Sequence, residues 1–202
     1  MSKEGYETSG HVTFYTVTDG KIVKRVAEGT EGAFSRVVTK GAHEGETRWY
    51  KPLTSIEGMI TGGGILVKEF SGKKVQEIHI HIDDDAVLQL PIQMLSNLAK
   101  PAPNINLTLP VKIGCYKSKA GKVGLNISQD GKEIEWYYTK DAPNGLPQPT
   151  HDDIDGWDFR DHDKFLKVEL NRFFDEVKLA NGKDVEEPEA GATADEENSI
   201  PF

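Results

Sequence analysis

The chain has little cysteine and no long apolar run. Its single cysteine, Cys115, excludes an intrachain disulfide and any zinc site built from several thiolates, and it is typical of a reducing compartment. No apolar stretch approaches the roughly 20 residues that a membrane-spanning helix needs. The first ten residues, MSKEGYETSG, lack the apolar segment of a secretory signal. The sequence therefore predicts a cytoplasmic protein.

Acidic residues outnumber basic ones, but the excess is concentrated at one end. The formal net charge is −9, from 24 basic and 33 acidic residues. Seven of the acidic residues and none of the basic ones fall between Asp184 and Phe202, which leaves 24 basic and 26 acidic residues before Asp184. A nearly neutral body removes most of the electrostatic objection to a nucleic-acid partner, so local patches decide that question.

Short strands dominate the predicted secondary structure of the first two thirds of the chain. Nine segments rich in β-branched and aromatic residues, from HVTFYTV to EIEWYY, are separated by turn pairs such as Asp19-Gly20. In the last segment, Ile134, Trp136 and Tyr138 are predicted to face the core. The glycine-rich segment ITGGGILV lacks the Lys-Ser/Thr of a phosphate-binding loop, so it is predicted as a bend or bulge within a strand.

Two helices are predicted. A short one begins at Pro91 and ends before Pro101, and an amphipathic one runs from about Asp161 to Ala180. The apolar stripe of the second helix consists of Leu166, Leu170, Phe173, Phe174 and Val177. This order of elements predicts a mainly β fold: an OB-fold-like (oligonucleotide-binding) barrel with extra strands, a short helix after the first strands and a C-terminal amphipathic helix.

Composition divides the chain into four predicted regions. Residues 1–9 are predicted as a flexible N-terminus, 10–150 as the OB-like β domain and 151–182 as a helical extension. Residues 183–202 are predicted as a disordered acidic tail, because their acidic, alanine and glycine residues bury too little apolar surface to offset the entropy lost on ordering. The stripe on the second helix is expected to pack on the β domain or on a partner subunit.

Alternation along two strands predicts a hairpin with a basic outer face. In VKIGCYK and KVGLNIS the apolar residues share one side, while Lys112, Tyr116 and Lys122 share the other with glycines that allow close approach of a ligand. A second basic-aromatic segment is TRWYKP, residues 47–52. Single-stranded nucleic acid binds positive grooves that carry aromatic side chains. The predicted single-stranded DNA (ssDNA) groove consists of Arg48, Trp49, Tyr50, Lys51, Lys112, Tyr116, Lys117, Lys119 and Lys122.

The segment HIHIDDD offers an alternative function. His79 and His81 share one strand face and are followed by Asp83 and Asp84, a pattern that suits a metal-dependent hydrolase or nuclease. The alternating isoleucines instead indicate an ordinary strand in which Ile78, Ile80 and Ile82 face the core and the histidines face solvent. No other catalytic constellation has supporting spacing, and Cys115 lies in an apolar alternation that predicts an inert core thiol. We therefore expect no enzyme, no cofactor and no metal.

The end of the chain, ADEENSIPF, is similar to the C-terminal tip of bacterial-type single-stranded DNA-binding proteins, which typically ends Asp-Asp-Asp-Ile-Pro-Phe. The similarity covers only the tip: Asn198 and Ser199 interrupt the acidic run, the linker is shorter, and the helix near residues 161–180 is additional. The residues that the resemblance assigns to partner binding are Asp195, Glu196, Glu197, Ile200, Pro201 and Phe202.

The resemblance implies a sequence-independent ssDNA-binding protein of DNA replication, recombination or repair. It further implies a divergent bacteriophage member, a homodimer, and a bacterial or phage-infected cytoplasm. Replication and repair proteins would read the acidic tip. A β-rich interaction protein whose terminus is read by a partner without DNA is a third possibility.

Overall fold

The structure is a computed structural model that describes residues 12–39, 43–70, 72–83, 85–152 and 156–182. Strands make up 46% and helices 20% of the described part, so the predicted mainly β class is confirmed. The strands form three sheets, and none of these sheets closes into a barrel within the described residues.

Thirteen strands are present in the described residues. In chain order they are β1 (Thr13–Thr18), β2 (Lys21–Val26), β3 (Phe34–Val37), β4 (Thr47–Leu53), β5 (Ser55–Gly58), β6 (Ile60–Phe70), β7 (Lys73–Ile82), β8 (Ala86–Pro91), β9 (Val111–Lys117), β10 (Val123–Gln129), β11 (Lys132–Glu133), β12 (Thr150–Asp152) and β13 (Gly156–Asp158). The larger sheet has the order β3-β4-β2-β1-β8-β7-β6, the smaller sheet has the order β11-β10-β9-β5, and β12 pairs with β13.

Both predicted helices are confirmed. A 3₁₀ turn at Ile92–Met94 leads into α1 at Leu95–Ala99, and a second 3₁₀ turn follows at Ala102–Asn104. The long helix, α2, spans Arg160–Ala180. Helices that combine the length and the apolar character needed to cross a bilayer are absent from the part of the chain that the structure describes.

The main core lies between one face of the larger sheet, the two helices and the smaller sheet. We call that side of the larger sheet the first face. Ile78, Ile80 and Ile82 of β7 are at most 1% exposed and pack in one cluster with the apolar stripe of α2. The prediction that these isoleucines face the core is confirmed. Phe173 and Phe174 are buried within the chain, so they present no surface to a partner subunit.

The two sheets are joined at a corner. β4 and β5 are separated only by Thr54, yet β4 pairs with β2 and β3 in the larger sheet while β5 pairs with β9 in the smaller one. The predicted hairpin of β9 and β10 is confirmed, since Lys112–Lys117 pairs antiparallel with Val123–Ser128. Its inner face holds Cys115, where burial raises the pKa of the thiol to about 11, as expected of an unreactive thiol.

The segment EIEWYY differs from its prediction. Only Glu133 belongs to a strand, β11. The amide of Ile134 still donates to the carbonyl of Ile127 at 2.8 Å, and residues 135–138 leave the sheet. Ile134 and Tyr138 still reach the core, but the prediction for Trp136 is wrong, because its side chain is 50% exposed. The Nζ of Lys100 lies 5.0 Å from the centre of the Trp136 ring, so a cation–π contact replaces burial in the core.

A glycine allows α2 to approach the larger sheet. The predicted irregularity in ITGGGILV is confirmed as a register shift between Ile60 and Gly62 in the pairing of β6 with β7. A Cβ atom at Gly63 would overlap the ring of Phe174. The ring is 1% exposed and therefore rests directly on the backbone of β6. The absence of a side chain at residue 63 sets the distance between helix and sheet.

This contact predicts the effect of two neighbouring substitutions. Gly63→Ala is expected to destabilise the fold by about 1–3 kcal/mol, because the added methyl overpacks the contact with Phe174. Gly64→Ala is the matched control, since a Cβ atom there has no neighbour within 4 Å. Urea unfolding of both variants measures the difference, and equal free energies of unfolding would contradict this account of helix docking.

Candidate nucleic-acid interface

The outer face of the β9–β10 hairpin presents an aromatic ring beside lysines. Lys112 and Lys122 are exposed, and Tyr116 is 51% exposed. Gly124 lies opposite Tyr116 in the hairpin, and a Cβ atom at Gly124 would be 2.6 Å from the Tyr116 Oη and 2.7 Å from its Cζ. The phenol end of the ring therefore lies over the backbone of β10. Gly124 supports this ring, whereas the sequence predicted that it admits a ligand.

Lys117 follows Tyr116 in β9 and points to the opposite side of the hairpin, towards the β1–β2 turn. Its Nζ lies 2.5 Å from Oδ1 of Asp19. Gly20 makes this approach possible, because a Cβ atom there would be 2.6 Å from the Cβ of Lys117. The hydrogen bond from Lys117 is the main cause of a lowered pKa at Asp19, and Arg36 and Lys21 add smaller effects. Three cations of different strands therefore surround one carboxylate.

Arg36 brings the edge strand β3 to the same turn. Its guanidinium donates a hydrogen bond to the hydroxyl of Thr18 at the end of β1, although β4 and β2 lie between β3 and β1 in the sheet. The larger sheet must curl for this bond to form. The basic segments around residues 36 and 117, which are far apart in sequence, meet at the β1–β2 turn.

The segment TRWYKP does not form one binding surface. Successive side chains of β4 alternate between the two faces of the larger sheet. Arg48 and Tyr50 are both 5% exposed and lie on one face, where Arg48 approaches Glu46 at 3.4 Å. Trp49 is half-buried and Lys51 is exposed on the opposite face. The prediction of one groove from all four side chains is therefore wrong.

Strand register divides the basic residues of this region between the two faces of the larger sheet. Arg25 pairs with Tyr50 and Arg36 with Arg48, so these arginines share the face that lies away from the main core, which we call the second face. Lys24 pairs with Lys51, so both lysines lie with Trp49 on the first face.

Sequence reasoning missed Arg25, Arg36 and two aromatic residues, Phe14 and Phe34. Phe34 packs on Tyr50 with ring centres 6.0 Å apart, and Phe14 is 39% exposed. Alternation within KIVKRV and FSRV marks the face of each residue on its own strand. The pairing of these strands with β4 was needed to place them on a common face.

The histidine segment forms hydrogen bonds that stabilise the fold. His79 is 7% exposed, and its Nε2 lies 3.4 Å from Glu77, which also contacts Lys68 at 2.9 Å. The hydrogen bond from His79, followed by the contact with Lys68, lowers the pKa of Glu77. Asp83 accepts a hydrogen bond from the amide of Met59 at 2.9 Å.

Metal-ligand geometry is not found around His79, His81 and Asp83, the members of the predicted metal cluster that the structure describes. Asp84 lies outside the described residues. Within the described ranges, no group of three or more His, Cys, Asp or Glu side chains is arranged to hold a metal ion. His81 is exposed on the second face, as expected, but the expectation that both histidines face solvent is wrong for His79, which is buried on the same face.

The remaining predicted residues divide into two groups. Lys119 lies exposed in the turn of the β9–β10 hairpin, beside Lys117 and Lys122. The partner-binding residues lie outside the described residues: Asp195, Glu196, Glu197, Ile200, Pro201 and Phe202.

Comparisons with protein-family models, with curated protein sequences and with solved structures found no match for this chain.

Proposed function

We propose that this chain is a non-enzymatic protein that binds ssDNA without sequence preference in replication, recombination or repair. The observation that carries the proposal is the Tyr116 ring, which lies over Gly124 and is 51% exposed. A ring supported from below by backbone leaves a surface on which a base can stack, and such stacking contributes about 1–3 kcal/mol per base.

The charge around the ring supports the same ligand. From Lys112 to Lys122 the sequence has four lysines and no acidic residue. Lys112, Lys119 and Lys122 are exposed and make no ion pair with any residue that the structure describes. Unpaired lysines beside an aromatic ring can neutralise phosphates while the ring stacks a base.

The architecture is compatible with the finer fold assignment that we propose, an OB-like domain with extra strands. In OB folds, a small and partly open β barrel presents a strand face to an oligonucleotide. The chain passes from β4 in the larger sheet to β5 in the smaller sheet at Thr54 and so makes a corner between the two sheets. Sheet corners are built where the chain switches sheets in this way. The hairpin that carries Tyr116 lies in the smaller of these sheets.

The tip similarity extends the proposal to partner proteins. In this proposal the acidic residues before Ile200 steer the tip towards basic surfaces, and Phe202 fills an apolar pocket. Pro201 restricts the backbone and lowers the entropy lost on binding. The homodimer, the bacteriophage origin and the bacterial cytoplasm implied by the resemblance belong to the same proposal.

The stacking role predicts a loss of affinity in two hairpin variants. Tyr116→Ala should weaken ssDNA binding by about 1–3 kcal/mol. Gly124→Val should also weaken ssDNA binding, because the new side chain displaces the Tyr116 ring. Tyr137→Ala, which removes another tyrosine that is 41% exposed, is the control. Fluorescence titration with labelled oligothymidylate at low salt measures all three, with duplex DNA as the competitor. Absence of saturable binding by the wild-type chain would contradict the proposed function.

The ion pair of Lys117 predicts a gain of affinity. Asp19→Asn should bind ssDNA more tightly and with a salt slope steeper by about 0.7, because Lys117 becomes available to a phosphate. Asparagine suits the site, since Asp19 has φ of 50°. Asp130→Asn is the control: Asp130 occupies the same place in a similar Asp-Gly turn, with φ of 50°. Equal affinities of the two variants would contradict a restraining role for Asp19.

Two deletions separate the predicted roles of the acidic end. Removal of Ile200–Phe202 should abolish binding to replication and repair partners and leave the ssDNA affinity unchanged. Removal of residues 184–202 should raise the ssDNA affinity at low salt, because seven acidic side chains would otherwise compete with phosphates for basic residues. Pull-down and titration test the two parts, and unchanged or weaker ssDNA binding after the longer deletion would disprove the competition.

A further inference from the structure

We propose that the second face of the larger sheet is an additional ssDNA contact surface, on which Arg25 and Arg36 bind phosphates and Phe14 stacks a base. The inference rests on the proposed function and adds a site and a path to it. The ssDNA would run from the β9–β10 hairpin past the β1–β2 turn and onto this face.

The second face lies on the opposite side of the sheet from both helices. The residues that pack with α1 and α2, such as Ile80 and Leu88, belong to the first face. Val23, Tyr50 and Val87 are buried on the second face but lie outside that main core cluster. Of these, Tyr50 packs on Phe34 with ring centres 6.0 Å apart.

Strand register gathers the exposed residues into one row. Phe14 pairs with Val87 across β1 and β8, and Arg25 pairs with Tyr50, which pairs with Phe34. Continuing the pairing of Tyr15 with Lys24 by one residue brings Phe14 opposite Arg25. An aromatic ring and a guanidinium are therefore neighbours on adjacent strands, which is the combination that single-stranded nucleic acid requires.

The charge of this face favours an anionic ligand. Two carboxylates of the described residues lie at this face, and both are already bonded: Glu77 to Lys68 and His79, and Glu46 to His43 and Arg48. Arg25 makes no ion pair with any residue that the structure describes. The basic side chains placed on this face by alternation and register are Lys21, Arg25, Arg36, Arg48, Lys68 and Lys73.

Arg36 connects the second face to the hairpin. Its guanidinium reaches Thr18, and the same turn holds Asp19 and its partner Lys117. A strand of ssDNA that leaves Tyr116 therefore meets Lys117 first and Arg36 next. The two surfaces are consecutive parts of one basic path that bends around the β1–β2 turn, so a longer ligand should use both.

Ligand length separates the two surfaces in an experiment. The full-length chain is titrated with labelled oligothymidylates of about 5 and about 16 nucleotides, which span the range of site sizes known for OB folds. The proposal expects the hairpin alone to hold the short ligand. Arg25→Ala and Phe14→Ala should leave its affinity unchanged. Phe14→Ala should weaken binding of the long ligand by about 5- to 150-fold. Arg25→Ala should lower the salt slope for the long ligand by about 0.7.

Two matched variants control for loss of charge and of aromatic surface elsewhere. Lys164→Ala removes an exposed cation from α2, which packs on the first face. Trp157→Ala removes a side chain that is 63% exposed on β13. Both should bind both ligands as the wild type does. Thermal unfolding checks that Phe14→Ala is folded, and Arg25→Lys, which keeps the charge, should retain the salt slope.

Each outcome decides between the two proposals. Failure of the wild-type chain to bind either oligonucleotide overturns the proposed function and this inference together. A second outcome overturns only the second surface. In it, Tyr116→Ala loses binding, while Arg25→Ala and Phe14→Ala bind oligonucleotides of both lengths as the wild type does. A length-dependent loss in the second-face variants, absent from both controls, supports the path.

Discussion

The packing of α2 on one face of the larger sheet is the constraint on which the other features of this fold depend. Ile78, Ile80 and Ile82 cover that face of β7, and the ring of Phe174 rests on the backbone at Gly63. Once this side of the sheet is buried, alternation directs every second side chain of its strands to the opposite side. The arginines of β2 and β3 lie there for that reason.

The β1–β2 turn has the second organising role, because it joins surfaces that belong to different sheets. Asp19 and Gly20 have φ of 50° and 76°, as a two-residue hairpin turn of the I′ type requires. The tight turn brings a carboxylate against Lys117, while Arg36 is bonded to the adjacent Thr18. Two basic surfaces that would otherwise be separate patches thus become neighbours, with one acidic residue between them.

The pattern of apolar residues predicted the structure correctly where a single helix or hairpin determined which side chains are buried. The stripe of α2 and the hairpin of β9 and β10 are buried on the predicted sides, because periodicity alone specifies which side faces the core. The same reasoning was wrong for Trp136, since the chain leaves the sheet after Ile134. The prediction of one groove from TRWYKP was also wrong, because alternation along β4 places Trp49 and Tyr50 on opposite faces.

The amino-acid sequence by itself determined the β-rich class, the amphipathic helix, the turn positions and the acid-free run of lysines around Tyr116, because each depends on residues close together in the chain. Only the tertiary structure decided which of these features lie side by side. Pairing between distant strands placed Arg25 beside Tyr50, and the register of the β9–β10 hairpin laid the Tyr116 ring over Gly124. Sheet curvature brought Arg36 to Thr18. Periodicity assigns a side chain to a face, but the neighbours on that face come from strand order and register, which short-range pattern does not specify.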